Sequence, residues 1–214
     1  MARAYRCSMF VALGVWLALS GGCISVDIGK DTAQQAQFRL VDGSTISPAA
    51  RPIGRELVVA PQPSAAIDDS FALAYSRVPN QRAAYQFASW SDRPSSRLAQ
   101  LLVDRLAARR AFASVALIGR GVTGDLQLNL TVNDFYHDAA ESPGTARVEV
   151  LAELIDRTAR RLLARKTFVA TAPVTQANAA AAAAALSAAS RQVLDQLVDW
   201  VEASSAPSSV ANAR

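Results

Sequence analysis

The chain has 214 residues, 51% of them hydrophobic, with 22 basic and 18 acidic side chains and a formal charge of +4. That balance lacks the single-sign excess of a nucleic-acid-binding surface. Two cysteines, Cys7 and Cys23, and one histidine, His137, are too few for a disulfide framework or a Cys/His metal cluster.

Residues 1–22 read as an export signal. Arg3 and Arg6 precede an apolar run from Phe10 to Leu19, and no acid occurs among them. A bilayer-spanning helix needs about 20 apolar residues, so this run is too short to span. Leu19-Ser20-Gly21-Gly22 then leads into Cys23, the pattern of a lipoprotein signal in which the thiol is acylated and the chain is cut on its N-terminal side. Ser20 stands where the commonest lipobox has Leu. An ordinary secretory signal cut near Gly22 is the alternative. Cys23 is thus the predicted lipidation site, with palmitate among its acyl chains. Ile24 after it, in place of Asp, points to the outer membrane of a Gram-negative envelope. Removing Arg3 and Arg6 from 22 basic residues leaves 20 against 18 acids, and neither cysteine remains as a free thiol.

Residues 23–36 form a polar tether without sustained periodicity. Residues 37–203 form one α+β domain, a mostly antiparallel mixed sheet with two main helices packed on it, and residues 204–214 a disordered tail. Strands are predicted at Phe38–Val41 and Glu56–Ala60, and a hairpin at Phe71–Arg77 and Ala83–Phe87 around Val78-Pro79-Asn80-Gln81. A helix opens with Ser91 or Asp92 as cap and Pro94 in its first turn, and runs to about Arg110 with Leu98, Leu101, Leu102 and Leu106 on one face. A short strand at Ser114–Ile118 follows. Leu126, Leu128, Leu130 and Val132 alternate with polar residues, as do Val148, Val150, Ala152 and Leu154. With Leu162–Thr171 they predict an antiparallel meander. The last helix, about Gln176–Glu202, contains Ala179–Ala185. Seven alanines form helix readily but bury little, so this half either lies close on the sheet or protrudes towards a partner.

No nucleophile elbow, phosphate loop or H-E-x-x-H occurs, so the chain reads as a non-enzyme with no cofactor and no bound metal. His137 is a surface or packing residue, and Asp68-Asp69 and the Asp134/Asp138 pair read as exposed carboxylates near turns. The segment Tyr85-Gln86-Phe87-Ala88-Ser89-Trp90 carries two readings. Trp90 covers the sheet-to-helix corner, or the aromatics meet a partner. Arg93, Arg97, Arg105, Arg109 and Arg110 form a solvated helix face or touch phosphate headgroups.

In order and pattern the chain resembles the ABC-type transport auxiliary lipoproteins, which include the paraquat-inducible-type outer-membrane lipoproteins that accompany MCE lipid-transport systems. Cys23, FRLVDG, ELVVAP, YQFASWSDRP, SSRLAQLLVDRLAA and LQLNLTVNDFYHD carry the resemblance, over about Phe38 to Val201. It implies a periplasmic domain anchored to the outer membrane. Its partners would be an MCE-domain protein and an inner-membrane ABC permease and ATPase, and a homo-oligomer is one arrangement. The cargo would be phospholipid or another hydrophobic molecule. Tyr85, Trp90, Arg93, Pro94 and Arg97 are the candidate partner-binding residues. A structural lipoprotein assisting an outer-membrane protein is the competing function.

Overall fold

The computed structural model describes residues 35–64 and 67–206. The export signal, Cys23, nearly all of the tether and the tail from residue 207 lie outside the described residues. Eight strands enter one mixed sheet: β1 (Ala36–Phe38), β2 (Ile53–Gln62), β3 (Ala72–Ser76), β4 (Ala83–Trp90), β5 (Phe112–Leu117), β6 (Leu126–Asp138), β7 (Thr145–Asp156) and β8 (Arg161–Pro173). Helix α1 spans Pro94–Arg109, helix α2 spans Ala179–Ser205, and a 3-10 turn occupies Ile67–Asp69.

The meander β6-β7-β8 is antiparallel throughout and holds the longest ladders of the sheet. Strand β6 is its organiser, because it is long enough to pair twice beyond β7. Its first half, Leu126–Thr131, runs parallel to β2, and its last residues, His137 and Asp138, run parallel to β3. Between the two stretches the ladder with β7 shifts register at Val132/Asp134. The inserted residue moves burial from the even positions Leu126–Val132 to Phe135 and His137. Strand β2 also pairs in parallel with β5, and β4 connects antiparallel β3 to parallel β1. The first strand therefore lies at Ala36–Phe38, ahead of its predicted place. Leu40 is buried just beyond it and its carbonyl oxygen accepts from Arg97, while the Asp42 carboxylate accepts from Arg105.

The inner sides of β6, β7 and β8 present Leu126, Leu128, Leu130, Val148, Val150, Leu154 and Phe168 to the helices. Helix α1 answers with Leu98, Leu102 and Leu106, all at most 2% exposed. Helix α2 answers with Leu186, Val193, Leu197 and Val201. Burying a side chain of this size contributes roughly 1.5–3 kcal/mol relative to exposure. In the alanine run, Ala182, Ala183 and Ala185 are buried while Ala180 and Ala184 face outward, and α2 contacts β7 and β8. Small side chains thus let this half lie on the sheet, the first of the two arrangements open from the sequence. Asn178 caps α2 by accepting a hydrogen bond from the N–H of Ala181 at 2.8 Å. The helix continues to Ser205, past the predicted start of the tail.

Candidate partner-binding surface

The corner where β4 enters α1 is built on two adjacent carboxylates. Arg93 occupies the cap position of α1 without a side-chain cap bond. The cap comes from Asp69, whose Oδ1 accepts the N–H of Ser95 at 2.8 Å in a buried contact. Ser91 and Asp92, expected to cap, bond each other at 2.9 Å instead. Beside it Asp68, also buried, accepts from Nε of Arg82 at 3.0 and 3.1 Å. Burial raises the Asp68 carboxyl above its ordinary value, against the lowering effect of the Arg82 bonds. The same guanidinium donates to Asp134 at 3.0 Å and lies 3.5 Å from the centre of the Tyr136 ring. Arg147 completes the chain, donating to Asp134 at 2.7 Å and Glu149 at 2.6 Å. Asp68 and Asp69 are therefore structural links, not the exposed turn carboxylates that their neighbours in sequence suggested. Asp134 is paired twice, and Asp138 accepts from the N–H of Ala140.

Between Ala72↔Ser89 and Ala74↔Ala84, β3 advances two residues while β4 advances five. The extra residues of β4 bulge, which re-aims Tyr85, Gln86 and Phe87. Tyr85 stacks parallel to His137, and its ring centre lies 5.0 Å from that of Tyr75. Its hydroxyl contacts Nδ1 of His137 at 2.7 Å. The other ring nitrogen, Nε2, lies 2.7 Å from the carbonyl oxygen of Pro143. A carbonyl only accepts, so Nε2 carries the proton and Nδ1 accepts from Tyr85. His137 is 1% exposed and packs, with both nitrogens committed. Among the described residues no group of three or more His, Cys, Asp or Glu is placed to hold a metal ion.

The five residues singled out by sequence divide by burial. Trp90 is 3% exposed, with its ring edge-on to Phe135 at 5.5 Å, and Pro94 is buried in the first turn of α1. Both pack, and neither presents its ring to a partner. Tyr85 is half-buried in its contact with His137. Arg97 is half-buried, donating to the carbonyl oxygen of Leu40 at 3.0 Å. Arg93 is exposed. Its guanidinium carbon lies 5.5 Å from the centre of the Phe71 ring, and it donates to the carbonyl oxygen of Asp69 at 3.1 Å. Sequence reasoning took in Phe87 only as part of the aromatic segment and did not single out Phe71; each is 51% exposed on this hairpin. Large aromatics are favoured in strands on packing grounds; Phe87 lies in the β4 bulge, and Phe71 lies just ahead of β3.

The basic face of α1 is also corrected. Arg105 is 3% exposed, donating to both oxygens of Asp42 at 2.5 and 2.8 Å, to Ser44 at 2.6 Å and to Asp195 at 2.5 Å. Arg109 is bidentate to Glu202 at 2.5 and 2.9 Å. These side chains join α1 to the β1–β2 connection and to α2, so the helix does not offer a continuous cationic face to headgroups.

The model of the ABC-type transport auxiliary lipoprotein component matches residues 42–198, and the chain belongs to that family. Among solved structures it is similar to a DUF330-family protein from Xanthomonas campestris, with 27% identity and a TM-score of 0.70 over 79% of this chain and 96% of that one. An uncharacterised protein of solved structure shares 14% identity with a TM-score of 0.59, covering 78% of this chain and 99% of its own. A PelC dodecamer subunit from Paraburkholderia phytofirmans shares 15% identity with a TM-score of 0.40, over 71% and 92%. No curated protein matches the sequence.

Proposed function

We propose that this protein is a lipid-anchored periplasmic component of an ABC/MCE-type system that moves phospholipid or another hydrophobic molecule between the inner and outer membranes. Membership of the auxiliary lipoprotein family carries the proposal, since the family match spans most of the α+β domain. Cys23 supplies the anchor, and Ile24 after it directs the chain to the outer membrane. ATP hydrolysis and cargo movement belong to the permease, ATPase and MCE-domain partners. The lipoprotein contributes a docking surface, which we place at Phe71, Phe87 and Arg93, with Tyr85 and Arg97 behind them. Aromatic and arginine side chains are enriched in protein interfaces, and Arg93 lies against the Phe71 ring.

The anchor is tested by growing cells with a radiolabelled fatty acid. Wild-type protein is expected to carry label and sediment with membranes, while Cys23→Ser carries none. Label on Cys23→Ser contradicts the assignment. The docking role is tested by capture of the tagged protein from solubilised envelopes. Recovery of an MCE-domain protein and its permease is expected, with recovery falling at least tenfold for Phe71→Ser/Phe87→Ser. A β-barrel recovered alone would instead favour the outer-membrane assembly role.

A further inference from the structure

A cavity of about 690 Å³ opens where the start of β2, the end of β7, the start of β8 and the C-terminal end of α2 converge. Its size falls within the ordinary range of small-molecule sites. Three guanidiniums line it, those of Arg51, Arg55 and Arg161, against one carboxylate, Asp156. Arg55 is committed to Asp156 at 2.8 Å, and Asp156 also accepts the N–H of Ala159 at 2.8 Å. Among the described residues the side chains of Arg51 and Arg161 have no ion-pair or hydrogen-bond partner, so the lining keeps two uncompensated positive charges. Ile53 and Leu163 supply an apolar wall. Ser205, also in the lining, carries a buried hydroxyl that meets no partner. Two unpaired guanidiniums beside an apolar wall match a ligand that is an oxyanion at one end and hydrocarbon at the other. A guanidinium binds phosphate oxygens through paired N–H donors.

We propose that this cavity binds the phosphate group of an anionic amphiphile between Arg51 and Arg161, with the hydrocarbon portion against Ile53 and Leu163. The site lies apart from the hairpin assigned above to partner docking. It rests on the cavity alone and not on the transport function, so loss of either leaves the other standing.

The test is calorimetric titration of the full-length protein in a neutral detergent with dihexanoylphosphatidylglycerol and, separately, with inorganic phosphate. Saturable binding of the lipid is expected, with inorganic phosphate at least tenfold weaker. Arg51→Gln/Arg161→Gln removes two exposed, unpaired side chains and should leave the melting temperature unchanged while weakening lipid binding at least tenfold. Leu163→Gln should weaken the lipid and leave phosphate unaffected. Equal affinity for phosphate and lipid would show a free-anion site and overturn the amphiphile assignment. Absence of lipid binding, or lipid binding unchanged in the double variant, would overturn the site itself.

Discussion

Arg105 shows how a single side chain can be misplaced by local pattern and corrected by distant partners. It sits off the leucine stripe of α1, which suggests solvent, yet Asp42 lies 63 residues away in sequence and Asp195 lies 90 away. No local periodicity encodes such a pairing. Removing the guanidinium leaves the mostly buried Asp42 without its counter-charge, so Arg105→Met is expected to cost about 3 kcal/mol, read by denaturant unfolding. The hydrogen bonds from Arg105 hold the Asp42 carboxyl below its ordinary value. The unfolded chain therefore takes up this proton first as pH falls. The stabilisation is fully present above the unfolded value, near ~4, and is lost as pH drops through the lower folded value. Asp42→Asn should accordingly show a shallower loss of stability across that acid window than wild type. Gly144 is fixed by space as well as by conformation. Its φ is +86°, and an added Cβ would stand 2.0 Å from the carbonyl oxygen of Asp138 and 2.9 Å from Nε2 of His137. Its own carbonyl oxygen accepts the N–H of Val174 just beyond β8. Gly144→Ala is expected to lower stability by at least ~2 kcal/mol, measured by thermal unfolding.

At the scale of elements, both helices and the β6-β7-β8 meander were legible because their signals are local. Leucines at three and four in α1, alternation in β6 and β7, and hairpin-length connections specify these elements within a short window. The two parallel pairings of β2 and the division of β6 between β2 and β3 were not legible. They join segments separated by 50 residues or more, and no residue-level rule names the neighbour. The β6 bulge was not read from the sequence, although the alternation of leucines and valine breaks at Asp134, where the ladder shifts. The cap of α1 was read one turn of chain too close. Ser91 and Asp92 fit the local motif, but Asp69 reaches in from the 3-10 turn and closes the helix. Asp69→Ala is expected to cost about 1–2 kcal/mol, with Ser91→Ala within ~0.5 kcal/mol of wild type. The core face of α1 is checked by Leu102→Asp. Leu102 is fully buried, and an unpaired carboxylate there should destabilise by several kcal/mol, of order 3–5. An unchanged melting temperature would refute the assigned face.

Across the described residues, burial follows one plan. The helices cover one side of the sheet, ionic links fasten α1 to the β1–β2 connection and to α2, and of the β3–β4 hairpin Phe71 and Phe87 remain exposed. The family pattern was legible because it is carried by the order of elements and by the segment from Tyr85 to Pro94. Which aromatics are exposed was not, because Trp90, the most conspicuous residue of that segment, turns inward while Phe87, and Phe71 outside the segment, remain exposed. The proposed docking of this hairpin on a transport complex is tested by a photo-crosslinking amino acid at position 87 in the native envelope, with a second at exposed Gln192 on α2 as control. Position 87 is expected to crosslink to an MCE-domain protein, identified by mass spectrometry, and position 192 is not. Equal crosslinking from both positions, or none at position 87 while the transport complex is present, would contradict the docking.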